Sequence, residues 1–214
     1  MANIKMARQQ QLRRTAYHEA GHAVMMWFFA LDIECIDMRR TATNYGAVET
    51  ESLDIENWIR ESQASGQSGK FHAARGIMIF LAGLCAENRA HENSPAWLQN
   101  AVEEYSQCRH DETHDLSRVW GIMAACHPDR KQGIRFARVV KKWVDEAFTI
   151  PELWAAVESL AKIAMKADVL DGPHAFQIIQ QAVGWNTSRN APYVCAGPRW
   201  KRRFQRFAVT TKKT

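Results

Sequence analysis

Apolar residues near the start of the chain recur at helical rather than strand spacing. His18, His22, Met25 and Phe29 share one i, i+4, i+7, i+11 stripe. Met25-Met26-Trp27-Phe28-Phe29 is apolar all round, which predicts a mostly buried helix over residues 14–30 with Thr15 as a candidate cap. Met1 to Leu12 is polar and rich in glutamine and basic residues, so it reads as a frayed lead-in or the first exposed turns of that helix. The period then changes to two. Ile33–Arg39 and Tyr45–Thr50 alternate as strands around the turn-prone Thr41-Ala42-Thr43-Asn44, which predicts a hairpin. Residues 51–70 are irregular and end in an exposed loop, Ser62–Lys70. A second apolar helix follows over 71–90, with Gly76 and Gly83 allowing close helix approach. Pro95–Val102 suggests a further short helix, and the run from Asp115 to Met123 reads as helical. From Asp129 to Ala182 the pattern is helical throughout, as Gly133–Phe148, Pro151–Lys166 and Pro173–Ala182, with Pro151 suited to a first turn. These last helices read as scaffold.

With 214 residues and 46% hydrophobic content the chain can bury one good core and has no room for a second large domain. The expected fold is α+β, mostly helical, with a small β-hairpin. No apolar run approaches the roughly 20 residues of a membrane span, and the start lacks a signal peptide's basic-then-apolar order, so a cytoplasmic protein without membrane contact is expected. Cys35, Cys85, Cys108, Cys126 and Cys195 are odd in number and lack framework spacing, which favours reduced thiols. Much of the +5 net charge lies after Gly184, in Arg199-Trp200-Lys201-Arg202-Arg203-Phe204-Gln205-Arg206-Phe207 and Lys212-Lys213-Thr214. Such a tail can dock an acidic protein or remain solvated. Nucleic-acid binding is the less favoured use, since no recognised module accompanies it.

The chemistry concentrates in Thr15-Ala16-Tyr17-His18-Glu19-Ala20-Gly21-His22-Ala23-Val24, an H-E-x-x-H on the buried helix. Histidines four apart lie on one face, roughly 6 Å along the axis, and can share one Zn²⁺ at about 2.0–2.1 Å. Glu19, one step round the helix, would face the open coordination position. In a zinc hydrolase water enters there, and the carboxylate takes its proton as it attacks a carbonyl. The competing reading makes His18 and His22 ordinary core histidines. Two features count against it: Glu19 sits between them, and Gly21 costs the helix about 1 kcal/mol relative to Ala unless something must approach closely, for which a metal site is one reason. Gly66, Gly69 and Lys70 do not form a phosphate loop, because the glycines are too close and Phe71 follows the lysine. No nucleotide motif is found elsewhere.

Tyr17-His18-Glu19-Ala20-Gly21-His22-Ala23-Val24 resembles the zinc motif of FtsH-type proteases, the peptidase half of membrane AAA proteases. Leu81-Ala82-Gly83-Leu84-Cys85-Ala86-Glu87 is similar to that family's Gly-Gly-Arg-Ala-Ala-Glu helix, His114-Asp115-Leu116 to its Asn-Asp-Leu, and Val169-Leu170-Asp171-Gly172 to its Thr-Leu-Asp-Gly. The resemblance implies a zincin-like domain over 15–183, between a lead-in at 1–14 and a basic aromatic tail at 184–214. It implies zinc ligands His18, His22 and Asp115, the general base Glu19, and Glu87 close to the metal centre, where it would orient a ligand; as a lone glutamate near a helix end, Glu87 can equally be a solvated residue. It also implies that the strand containing Tyr45, Gly46, Ala47 and Val48 edges the cleft, where an extended substrate can add as one more strand. The hairpin can equally serve only to cover the zinc helix. Residues 91–112 are longer than the family's connection, which leaves Asp111, Glu112 and His114 as rival ligands, with His110 also nearby and His114 alternatively facing ligand or substrate. The expected activity is ATP-independent cleavage of peptide bonds in flexible segments, with a separate ATPase or adaptor and a homo-oligomer as candidate partners. A non-catalytic zinc-binding interaction protein, working through its tail, is the alternative.

Overall fold

A computed structural model describes residues 2–39, 46–50, 60, 67–91, 115–127 and 129–184. In chain order these form α1 (Ala2–Phe28), β1 (Cys35–Asp37), β2 (Ala47–Glu49), α2 (Gln67–Ala90), α3 (Asp115–Cys126), α4 (Arg130–Phe148), α5 (Pro151–Ala164), β3 (Val169–Asp171) and α6 (Gly172–Val183). The mostly helical α+β class expected from the pattern is observed. Tyr45, the Pro95–Val102 segment, His110 to His114, Cys108, Cys195 and the basic tail lie outside the described residues.

α1 starts well before the position that apolar periodicity marks. Lys5 to Arg14 contains good helix formers and no Gly or Pro, so propensity carries the helix outward beyond its buried part. Thr15 is therefore interior and 7% exposed, and it is not a cap. Met6 to Arg14 are all exposed, whereas Thr15 to Phe29 are all buried except the half-buried His18. The change is abrupt because the rest of the protein closes round the second half: α2 and α5 pack on it most extensively, joined by α6 and β2. Met25, Met26, Trp27 and Phe28 are 0% exposed, and an all-round apolar stretch is what such a central position requires.

Gly21 owes its place to helix packing rather than to the metal site. A Cβ there would strike the Ala82 carbonyl oxygen and lie 2.7 Å from the Ala86 Cβ, so α1 and α2 meet backbone to backbone at this point. α2 begins at Gln67, which makes the end of the predicted Ser62–Lys70 loop helical; Ser62 to Gly66 lie outside the described residues.

The expected hairpin strands pair antiparallel, with Ile36 opposite Val48, and β1 pairs on its other side with β3, with Ile36 opposite Leu170. The order is β2-β1-β3. β3 interrupts a stretch predicted to be helical throughout. Three residues with a single inward apolar side chain, Leu170 at 4% exposure, are too few to register as a period of two. Gly172 then turns directly into α6, its N–H donating to the Glu34 carbonyl at 2.7 Å, while the Asp171 carboxylate caps the helix through the His174 N–H at 2.9 Å. Pro151 does stand in the first turn of α5, and Asp129 caps α4 through the Lys131 N–H at 2.8 Å. Among the described residues, Cys35, Cys85 and Cys126 form no disulfide, and no helix is long and apolar enough to cross a membrane.

Candidate metal centre

Two helical stripes with the same spacing face each other across the α1–α2 contact. Arg14, His18 and His22 follow one another at i, i+4 and i+8 on α1, and Ile79, Gly83 and Glu87 do so on α2. Arg14 meets Glu87 at one end and His22 meets the Ile79 carbonyl at the other, so the helices run antiparallel.

This pairing decides which nitrogen of each histidine faces inward. His22 Nδ1 lies 2.7 Å from the Ile79 carbonyl oxygen, which can only accept, so Nδ1 carries a proton and donates it. His18 Nδ1 lies 3.3 Å from Glu87 Oε2. Burial would raise the Glu87 carboxyl, but the bonds from His18 and Arg14 outweigh it and hold the group below its ordinary value, so it too acts as an acceptor. Both Nε2 atoms are left pointing away from these partners, and they meet. His18 Nε2 and His22 Nε2 are 3.0 Å apart.

Asp115 completes the cluster as the first residue of α3, where the helix N-terminus favours an anion. Its Oδ2 lies 2.9 Å from His18 Nε2 and 3.1 Å from His22 Nε2. Burial alone would raise the Asp115 carboxyl, yet the two histidines hold it well below the usual carboxylate range. Burial alone would likewise lower His18, but Asp115 and Glu87, with Glu19 nearby, lift it to about 10. Two imidazoles tied at Nδ1 and one carboxylate thus aim three electron-pair donors at one another. Such an arrangement calls for a cation or an extra proton between them.

The donor set fits a metal ion. Ligand atoms at about 2.1 Å on the corners of a tetrahedron stand about 3.4 Å apart, close to the separations here, and two nitrogens with one carboxylate oxygen suit zinc. Gly83 supplies the room. A Cβ on it would overlap His22 Nε2 and lie 2.7 Å from His18 Nε2, so any larger residue fills the space in which these nitrogens converge.

Glu19 lies beside this cluster, 6% exposed, beneath the start of the hairpin's second strand. A Cβ on Gly46 would be 3.1 Å from Glu19 Cγ and 3.2 Å from Oε1, and the Val48 backbone N–H bonds the carboxylate. Burial is the main cause that raises the Glu19 carboxyl above its ordinary value; Asp115 adds to it, while His18, His22 and the Val48 bond oppose it.

Of the candidates named from sequence, the structure brings His18, His22, Asp115, Glu19 and Glu87 together and sets Gly46 and Val48 against Glu19, with Ala47 between these two along the chain. Tyr45, Asp111, Glu112 and His114 fall outside the described residues. Sequence reasoning assigned Gly83 only to helix approach and gave Arg14 no role. The signal for Gly83 was its position midway between Ile79 and Glu87 on one stripe; for the Ile79 carbonyl there was none, since a backbone group has no sequence signature. No protein-family model matches the chain, and no curated protein is significantly similar to it.

Proposed function

We propose that this protein is a zinc metallopeptidase of the FtsH-like, zincin-like kind, cleaving peptide bonds in flexible polypeptide segments. The observation that carries the reading is the convergence of His18 Nε2, His22 Nε2 and Asp115 Oδ2 within 3.1 Å, with both imidazole Nδ1 atoms already committed elsewhere. A zinc ion held by these three residues would supply Lewis-acid polarisation of a carbonyl and an acidified water.

The chain's own residues account for the proton. Glu19, buried and with its carboxyl raised, is a base matched to a pH nearer neutrality than an exposed glutamate. It takes a proton from water as the oxygen adds to the scissile carbonyl carbon. It then gives that proton to the leaving amide nitrogen as the C–N bond breaks, which leaves a free carboxylate end and a free amine. The Val48 N–H keeps the carboxylate oriented between these tasks.

β2 has a strand partner on one side only among the described residues, and Gly46, just before it, lies against Glu19. An extended substrate that adds along its open edge would bring a peptide carbonyl beside the base through main-chain bonds, with little demand on side-chain identity.

The test compares metal content and casein cleavage in the wild type, Glu19→Gln and Asp115→Ala. The expected result is about one zinc per wild-type chain, cleavage lost with metal retained in Glu19→Gln, and metal lost in Asp115→Ala. A wild type that binds zinc but cleaves nothing, with Glu19→Gln no different, would replace the peptidase by a zinc-binding interaction protein.

A further inference from the structure

We infer that Arg14 is a positioning residue of the metal centre, acting on His18 through Glu87. The inference rests on the metal-site reading above.

Arg14 Nε donates to Glu87 Oε1 at 2.7 Å, and Arg14 Nη2 stands 2.6 Å from the same oxygen as an ion pair. Because both guanidinium nitrogens lie against Oε1, Oε2 remains for His18 Nδ1. A glutamate has three side-chain torsions and considerable freedom to lose. Fixing one of its oxygens on a planar guanidinium fixes the direction of the other. The ring of His18 then has a defined tilt, and its Nε2 a defined aim. His22 needs no such relay, since a helix backbone carbonyl holds it directly.

The neighbouring arginine cannot take this part. Arg13 stands about 100° round the helix, with its guanidinium 5.7 Å over the Tyr17 ring. The Arg14 side chain is 44% exposed at the point where α1 leaves the core, so the support of the buried site reaches the surface there. Groups bonded directly to a ligand, as Glu87 is to His18, change metal affinity by roughly 10–100-fold when removed, and Arg14 acts one bond further out, at the lower end of that range.

The experiment measures zinc affinity by chelator competition in full-length wild type, Arg14→Gln, Arg14→Lys, Glu87→Gln, the Arg14→Gln/Glu87→Gln pair, and Arg8→Gln. Arg8 is exposed on the same helix and serves as the charge control. Arg14→Gln should weaken binding about tenfold. Arg14→Lys should recover part of this, the double variant should be no weaker than Glu87→Gln alone, and Arg8→Gln should match the wild type. Wild-type affinity in Arg14→Gln, or a double variant that multiplies the two single losses, overturns the inference. If the wild type binds no zinc, the metal reading itself fails. The His18 Nδ1–H signal in ¹⁵N NMR of the metal-free protein then decides for Arg14: lost exchange protection in Arg14→Gln supports it, and an unchanged signal overturns it.

Discussion

Replacing Gly83 by alanine adds one methyl group at the centre of the site, and its consequences can be worked from distances. The new Cβ would overlap His22 Nε2 and stand 2.7 Å from His18 Nε2 and 2.8 Å from His18 Cδ2, where ordinary contact begins at 3.4 Å. The His18 ring must retreat by about 0.7 Å, and that of His22 by more, whereas metal–ligand distances tolerate only about 0.2 Å. At least one imidazole is lost as a ligand. A hundredfold weaker zinc affinity, about 2.7 kcal/mol, is the smallest effect expected. Folding should survive, because alanine favours the helix by about 1 kcal/mol over glycine and the groups displaced are the ends of side chains. Gly121→Ala is the matched control: it lies on α3 with nothing within 4 Å of its Cβ, so it gains the propensity without touching the site. Zinc titration and urea unfolding of the metal-free proteins separate the two effects. A folded Gly83→Ala protein with wild-type zinc affinity would refute the claim that the converging nitrogens hold the metal.

Further outcomes concern pH and packing. In the metal-free protein His18 is lifted from 6.5 to about 10, so its contribution to stability is fully present below pH 6.5 and is lost as pH rises through about 10. Asp115 is depressed, so its contribution is present above the ordinary aspartate value and disappears on acidification. Unfolding of the metal-free protein should therefore become easier between pH 6.5 and 10. Zinc needs His18 neutral and should displace about one proton at pH 7; calorimetric heats identical in buffers of different ionisation enthalpy would contradict this. Gly21→Ala should destabilise by about 1–3 kcal/mol despite the helix gain, because its Cβ meets the Ala82 backbone rather than a side chain that can turn away. Equal or higher stability in urea would show that α1 and α2 can separate without cost.

Much of the fold was legible where a local rule governs it. Pro151 and Gly172-Pro173 mark helix starts because proline suits a first turn, and the scaffold helices carry apolar stripes that no other structure satisfies. Legibility failed where the deciding contact was remote or the element too short. β3 is held by β1 and has no period of its own. Between the two readings left open for residues 1–12, a frayed lead-in or the first exposed turns of α1, the helix takes the second, because propensity, not burial, sets its beginning. Gly21 and Gly83 look alike in sequence, yet one serves backbone contact between helices and the other the space around two imidazoles.

The sequence by itself determined the half of the site that lies within one helix. Residues 18, 19 and 22 keep their relative directions wherever an α-helix forms, because 3.6 residues per turn is a property of the backbone. Only the tertiary structure decided the rest: that Asp115, 97 positions beyond His18, brings its carboxylate to both imidazoles, and that antiparallel packing of α1 and α2 turns each Nε2 inward by engaging each Nδ1. Those contacts depend on how whole helices pack, and packing is a balance over many residues that no short motif contains.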